Sequence, residues 1–187
     1  ENGRHGVTFD LTELFILLFA DDIILLSITV SGLQRQLNNL YRAATNLELK
    51  VNMEKTNIIV FRKGGHLAGN EKWTYGNERV AVVNAYKYLG IYFSTRLSFT
   101  YACQDISNRA KKAVISILRI LYKLECSSFH VFSKLFDSQV QPILQYGAEI
   151  WAFDNRNVVE KVHTFAMKRF LNVDIRSPND HIIYCLE

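Results

Sequence analysis

Two adjacent carboxylates, Asp21 and Asp22, stand out in this sequence because long apolar runs flank them on both sides. Each run is about one strand long and rich in Ile, Leu and Phe, and Asp tolerates turn geometry. We therefore predict an antiparallel hairpin with both carboxylates at its tip. Carboxylate oxygens are ligands that hard divalent cations prefer. The two residues could also be solvated turn residues, and this string alone does not decide between these interpretations.

The stretch from Leu14 to Ser27 is also nearly long enough to be considered as a membrane-spanning helix. Each Asp at the centre of a bilayer would cost roughly 2.5 to 3.5 kcal/mol. Two adjacent carboxylates therefore argue against a membrane-spanning helix, and we expect no membrane partner.

The tetrapeptide Phe19-Ala20-Asp21-Asp22 resembles the aromatic-Ala-Asp-Asp signature of reverse transcriptases, and the string from Leu17 to Ile23 is similar to its form in non-LTR (LINE-type) retrotransposons. The resemblance implies a palm-domain hairpin and RNA-directed DNA polymerase activity, with Asp21 and Asp22 as catalytic, metal-binding residues. The implied cofactor is Mg²⁺ or Mn²⁺, and the implied partners are an RNA template, a DNA primer and deoxynucleoside triphosphates. Paired metal ions stabilise the attacking and leaving oxygens of an in-line displacement, which explains why carboxylates stand here.

A second match to the same family follows the predicted hairpin. Leu49, Asn52, Lys55 and Thr56 fit the pattern Leu-x-x-Asn-x-x-Lys-Thr. The resemblance implies that Lys55 is a catalytic residue near the leaving pyrophosphate. A lysine at the start of a strand is otherwise often only a solubilising charge.

A third match, Tyr88-Leu89-Gly90, is similar to the family's Tyr-Leu-Gly element, which implies a contact with the primer near its 3′ end. We predict one strand from Tyr86 to Phe93, in which Gly90 allows close approach of another backbone. Filling of a sheet face by the tyrosines is an alternative. The fourth match, from Pro142 to Trp151, fits Pro-Ile-Leu-x-Tyr-Gly-x-Glu-x-Trp, and we interpret it as packing.

Periodicity predicts an α+β fold. Ser31 and Gln34 form a possible capping box before an amphipathic helix. The apolar positions of that helix are Leu33, Leu37, Leu40, Ala44 and Leu47. Further strands are predicted at residues 58–61 and within residues 71–94, so that residues up to about 94 form an antiparallel sheet with one helix across it.

From about residue 97 the apolar period changes from two to 3.6, which predicts a nearly all-helical region. We therefore divide the chain into residues 1–96 and 97–187. The resemblance implies a partial palm for the first part and a helical thumb and post-thumb region for the second.

The first predicted helix of the second part carries an apolar stripe formed by Ile106, Ala110, Ala113, Ile117, Leu121 and Leu124. Basic residues lie between these positions, namely Arg109, Lys111, Lys112, Arg119 and Lys123. Cations at this density suit contacts with nucleic-acid phosphates, so we predict a nucleic-acid-binding helix. A solvated helix face is the alternative.

The composition is that of a globular protein, with 187 residues of which 49% are hydrophobic. The net charge of +4 suits a polyanionic partner but does not demonstrate one. Three cysteines, Cys103, Cys126 and Cys185, are widely and irregularly spaced, so we expect no disulfide-linked partner. The Cys126-x-x-x-His130 spacing lacks a second ligand pair. We expect an intracellular protein, cytoplasmic or nuclear and not secreted.

The family's fingers, first catalytic Asp strand and Gln-Gly segment all precede its Asp-Asp hairpin, and none has a match here. Asp10 is the nearby upstream acid, but extended residues between it and Asp21 would separate the two by about 30 Å. We therefore expect a polymerase fragment that is inactive alone. The alternatives are a non-catalytic nucleic-acid-binding remnant and a decayed structural fragment.

Overall fold

A computed structural model describes residues 6–152 and 157–178. It contains both strands and helices, in agreement with the predicted α+β class. The chain forms two compact units, Glu1–Tyr86 and Lys87–Glu187. This division falls ten residues before the boundary predicted from the sequence, within a strand rather than after it.

The first unit contains short strands and one helix. The strands are β1 (Val7–Phe9), β2 (Thr12–Leu14), β3 (Ile16–Phe19), β4 (Asp22–Leu25), β5 (Asn57–Ile58), β6 (Thr74–Tyr75), β7 (Glu78–Arg79) and β8 (Ala81–Val82), and the helix is α1 (Val30–Asn46). The pairs β1–β2, β3–β4 and β6–β7 are antiparallel, whereas β5 and β8 are parallel. In the described residues these pairs are separate sheets, so the prediction of one antiparallel sheet was wrong. The strand predicted at 58–61 also ends at Ile58.

Helix α1 begins two residues earlier than the predicted capping box allows. Thr29, in an extended conformation, is the N-cap, and its hydroxyl oxygen accepts a hydrogen bond from the Gly32 backbone N–H at 3.0 Å. Ser31 lies inside the first turn, so its assignment as the cap was wrong. Gln34 instead bonds to both backbone groups of Thr74, which ties α1 to β6.

The core of the first unit lies between α1 and the small sheets. Its buried members are Leu37, Ile58, Trp73, Tyr75 and Val80. The Trp73 indole N–H donates to the Val30 carbonyl at 3.0 Å, so its polar atom is satisfied inside this core. Leu47, predicted to join the apolar stripe, is the C-cap of α1 and remains 68% exposed.

Helices dominate the second unit, as predicted. A strand, β9 (Ala85–Tyr88), crosses the division between the units and pairs with β10 (Ile91–Ser94). The helices are α2 (Thr100–Lys123), α3 (Phe129–Gln139), α4 (Gln141–Gln145), α5 (Ala148–Trp151) and α6 (Asn157–Phe170). None of the helices in the described ranges is both long and apolar enough to span a bilayer.

The predicted apolar stripe of α2 forms the centre of the second core. Ile106, Ala110, Ile117 and Leu121 are buried against α3, α4 and α6. Leu124 was wrongly included in this stripe, because α2 ends at Lys123 and the leucine is 68% exposed.

Replacement of Thr29 by Ala is expected to destabilise the protein, because the Gly32 N–H loses its side-chain acceptor. Loss of such a cap typically costs about 1 kcal/mol. Ser31→Ala is the matched control, since the sequence alone favoured that hydroxyl as the cap. Urea unfolding of both variants measures the difference, and an equal loss of stability in both would contradict the Thr29 assignment.

Candidate active site and nucleic-acid interface

Asp21 and Asp22 lie at the tip of the predicted antiparallel hairpin. Strands β3 and β4 pair in a register that sets Phe19 opposite Asp22, with Ala20 and Asp21 forming the turn. Both carboxylate residues are exposed. The structure therefore confirms the hairpin and excludes a helix through these residues.

The turn between β3 and β4 has an unusual backbone conformation. Ala20 has a φ of +52°, in the left-handed region. Two-residue hairpin turns favour positive φ because this matches the twist of the strands. For a residue with a Cβ atom this conformation costs roughly 1 to 2 kcal/mol. The two-residue turn thus places both carboxylates, which are adjacent in the sequence, at the tip of the hairpin.

The base of the hairpin is anchored, whereas its tip is open. Leu26 donates a backbone hydrogen bond to Phe15 at 2.9 Å, which extends the pairing, and the Gln36 amide donates to the Leu26 carbonyl at 2.8 Å. Leu25 packs against the core of the first unit. Towards the tip, Leu18 and Phe19 remain 68% and 58% exposed.

Asp21 and Asp22 suit a divalent cation by residue type. Two adjacent carboxylates provide suitable oxygen ligands, but no group of three or more His, Cys, Asp or Glu residues in the described ranges could hold a metal ion. Asp10 lies in the turn of the preceding β1–β2 hairpin, with a φ of +54°. The described residues therefore place no third ligand of this kind beside the carboxylate pair.

Lys55 lies on an exposed turn just before β5. Its backbone N–H bonds to both oxygens of Asn52, and its carbonyl accepts a hydrogen bond from the Tyr86 hydroxyl at 2.9 Å. The Asn-x-x-Lys-Thr segment is therefore an ordered turn, which explains the Asn at this spacing. The Lys55 side chain is exposed.

The Tyr88-Leu89-Gly90 element is a hairpin turn, and the prediction of one continuous strand from Tyr86 to Phe93 was wrong. Leu89 and Gly90 lie between β9 and β10 and have φ values of +43° and +82°. Positive φ at both central residues is characteristic of a tight hairpin turn. Tyr88 is half-buried, and Leu89 is 38% exposed at the tip.

An ion-pair network joins this second hairpin to α2. Lys87 Nζ lies 2.9 Å from Asp105 Oδ2, and Arg109 Nε lies 3.0 Å from the same oxygen. Lys87 also lies over the Tyr92 ring, 5.1 Å from its centroid. Arg109, predicted to bind nucleic acid, is therefore ion-paired with Asp105, which it shares with Lys87.

The remaining cations of α2 lie on one side of the helix. At 100° per residue, Lys111, Arg119, Lys112 and Lys123 fall within about 120° of one another, on the side that carries Ile115. Lys112, Arg119 and Lys123 are exposed. Four members of the predicted nucleic-acid-binding set thus share one side of α2, and Arg109 is ion-paired.

Arg119 lines a groove of about 420 Å³ between α2 and α6. We call it the α2–α6 groove, and its lining residues are Ile115, Leu118, Arg119, Tyr122 and Arg169. The Phe165 ring lies beside it, with Lys111 Nζ 5.6 Å and the Arg169 guanidinium 5.7 Å from the ring centroid. Cationic, aromatic and aliphatic side chains thus lie together at this groove.

The sequence did not predict Arg169 and Tyr122 as lining residues of this groove, nor Phe165 beside it. Arg169 and Phe165 lie on α6, about 50 residues after Arg119. The basic end of α6 was visible in the sequence, but its position beside α2 depends on how the two helices pack.

The cysteines show no metal centre or disulfide in the described residues. Cys103 and Cys126 are free thiols. Burial raises the pKa of the Cys103 thiol, so it stays protonated at neutral pH. Cys126 and His130 have no third ligand among the described residues, and Cys185 lies outside them.

Comparison with known proteins bears on the first three sequence matches. Residues 4–93 match the family model described as reverse transcriptase (RNA-dependent DNA polymerase). No curated protein and no solved structure matches the chain. The matched segment, just under half of the chain, includes Asp21, Asp22, Lys55 and the Leu89–Gly90 turn. Over residues 4–93 the chain is therefore similar to the reverse transcriptase family.

Proposed function

We propose that this chain is part of an RNA-directed DNA polymerase of a LINE-type retrotransposon, in which Asp21 and Asp22 hold divalent metal ions. The observation that carries the proposal is the hairpin turn bearing both carboxylates within residues that match the reverse transcriptase family. The LINE-type assignment rests on the similarity of the string from Leu17 to Ile23 and on the string from Pro142 to Trp151.

In this proposal Asp21 and Asp22 contribute oxygen ligands to Mg²⁺ or Mn²⁺. The metal ions, when bound, stabilise the attacking and leaving oxygens during nucleotide addition. Lys55 carries an exposed positive charge on an ordered turn, which suits a role near the leaving pyrophosphate. The substrates are deoxynucleoside triphosphates and a DNA primer on an RNA template.

Two observations support the need for further polypeptide at this site. The described residues bring no third metal ligand to the carboxylate pair. Apolar side chains of β3 are also exposed on both faces of the hairpin, since all of its residues, including Leu17 and Leu18, are exposed. Additional strands beside the hairpin would bury these side chains and could deliver the missing carboxylate.

The alternative is a non-catalytic nucleic-acid-binding protein, and the α2–α6 groove favours it. Arg119 and Arg169 offer two guanidinium groups for phosphates, and Tyr122 is 89% exposed and free to stack on a base. This groove can serve either function, because a polymerase also holds its template and primer. Activity, rather than binding, separates the two functions.

A primer-extension assay tests the proposed activity. With Mg²⁺, an RNA template and a DNA primer, the 187-residue chain alone is expected to add no nucleotides, because its metal site is incomplete. Addition or fusion of the fingers and first palm strands of a related LINE-type polymerase should restore extension. In the restored enzyme, Asp21→Asn is expected to abolish extension.

Asp10→Asn is the matched control, since Asp10 is a carboxylate in the neighbouring hairpin turn and Asn also tolerates positive φ. It should leave extension unchanged. Extension by the 187 residues alone would contradict the incomplete metal site. A restored enzyme that is insensitive to Asp21→Asn would refute the metal-binding role.

Nucleic-acid binding is expected to depend on the α2–α6 groove. The double variant Arg119→Glu/Arg169→Glu should weaken binding of a fluorescent RNA–DNA duplex about tenfold or more. It should also lower the slope of log affinity against log salt by about 2, because two phosphate contacts are lost. Fluorescence anisotropy at several salt concentrations measures both quantities.

The control double variant is Lys112→Glu/Lys123→Glu, which changes the net charge equally but replaces no residue that lines the groove. It should reduce affinity much less than the groove variant. Equal losses would show that net charge, not the groove, governs binding. An unaffected groove variant would remove the groove from the interface.

A further inference from the structure

The hairpin turn at Leu89 and Gly90 is contacted by a residue far away in the sequence. The Tyr146 hydroxyl donates a hydrogen bond to the Leu89 carbonyl at 2.6 Å, across a separation of 57 residues. Leu89 lies between β9 and β10, at the turn itself. Tyr146 therefore contacts the turn, which is the part of the hairpin that the β9–β10 pairing does not hold.

The Tyr146 ring also lies against the turn. A Cβ atom added to Gly90 would lie 3.1 Å from a Tyr146 ring carbon, closer than ordinary van der Waals contact. Gly90 also has a φ of +82°, which side-chain-bearing residues rarely adopt. Glycine at this position thus satisfies both the turn geometry and the approach of the ring.

A second glycine brings Tyr146 to this position. Gly147 has a φ of +63°, and an added Cβ atom would clash with the Ile91 side chain. The backbone carbonyl of Tyr146 accepts a hydrogen bond from the Trp151 indole at 3.0 Å, and Trp151 is buried. The position of Tyr146 is therefore fixed in two ways. Its carbonyl is bonded to the buried Trp151, and the next residue, Gly147, packs closely on β10.

We infer that Tyr146, Gly147 and Trp151 form a clamp that positions the Leu89–Gly90 turn. The string from Pro142 to Trp151, interpreted from the sequence as packing alone, thereby acquires a second role. Leu144 and Trp151 supply the buried side of this segment, whereas Tyr146 reaches the turn. The functional part of this inference rests on the proposed function. In the polymerase, Tyr146 is a positioning residue for the hairpin that carries Tyr88-Leu89-Gly90, whose similarity to the family's Tyr-Leu-Gly element implies a contact with the primer.

The exposure of Tyr146 and Leu89 indicates that their contact positions the turn and does not stabilise the core. Tyr146 and Leu89 are 47% and 38% exposed, so their hydrogen bond lies at the surface. A surface hydrogen bond contributes little to global stability, because water replaces either partner. It nevertheless fixes the direction of a turn whose two residues both have positive φ. Loss of the hydroxyl should loosen the turn without unfolding the protein.

Hydrogen exchange of the 187-residue chain tests the clamp directly. In Tyr146→Phe, amides in the peptide covering residues 85–94 are expected to exchange at least about threefold faster, whereas peptides from the middle of α2 remain unchanged. Tyr101→Phe is the matched control, since Tyr101 is an exposed tyrosine at the start of α2. An unchanged hairpin in Tyr146→Phe would overturn the clamp.

Primer extension by the restored polymerase then tests the functional role. Tyr146→Phe should lower kcat for addition of the first nucleotide severalfold, with an unchanged KM for the deoxynucleoside triphosphate and unchanged duplex affinity. Faster hairpin exchange with unaltered kcat would overturn the positioning role. A restored polymerase that is inactive with Tyr146 intact would count against the proposed function alone, and the exchange experiment would still decide the clamp.

Discussion

The tight turn at Ala20 and Asp21 is the constraint on which the candidate site depends. A hairpin with only two turn residues fixes the register of its strands, so Asp22 must lie opposite Phe19. The adjacent carboxylates are thereby held at one tip, and the described residues give them no side-chain hydrogen bond. A single-residue slip would move the second carboxylate to the opposite face of the strand. The energetic cost is the left-handed conformation of Ala20.

The same device occurs again at Leu89 and Gly90, but there a distant segment supports it. The first hairpin is held at its base by Gln36 and Leu25 and is open at its tip. The second is held at its tip by Tyr146 and near its base by the pair of Lys87 and Asp105. An open hairpin tip suits a site that receives ligands from another polypeptide. A fixed hairpin tip suits a surface that positions a bound molecule.

Packing of α2 determines which of its cations can meet a ligand. Burial of Ile106 and Ile117 fixes the rotation of the helix, which turns Arg119 towards the groove beside α6. Arg109 instead pairs with Asp105 one turn earlier on the same helix. The groove therefore depends on Arg119 and on Arg169, which a different helix supplies.

Local features of the sequence determined the elements with a clear period or turn. The apolar runs around Asp21 and Asp22 predicted the hairpin, and the 3.6-residue period predicted α2, because both signals reside in neighbouring residues. The carboxylate pair could therefore be placed at a hairpin tip before any tertiary contact was known.

Only the tertiary structure decided the features that depend on distant partners. Thr29 and Ser31 are both plausible caps by type, and the choice followed from where α1 docks on Trp73 and Thr74. The run from Tyr86 to Phe93 has the composition of one strand, yet it bends at Leu89 and Gly90, where Tyr146 contacts it. Propensity is a sum over neighbours in sequence, whereas these outcomes are set by groups 40 to 57 residues away.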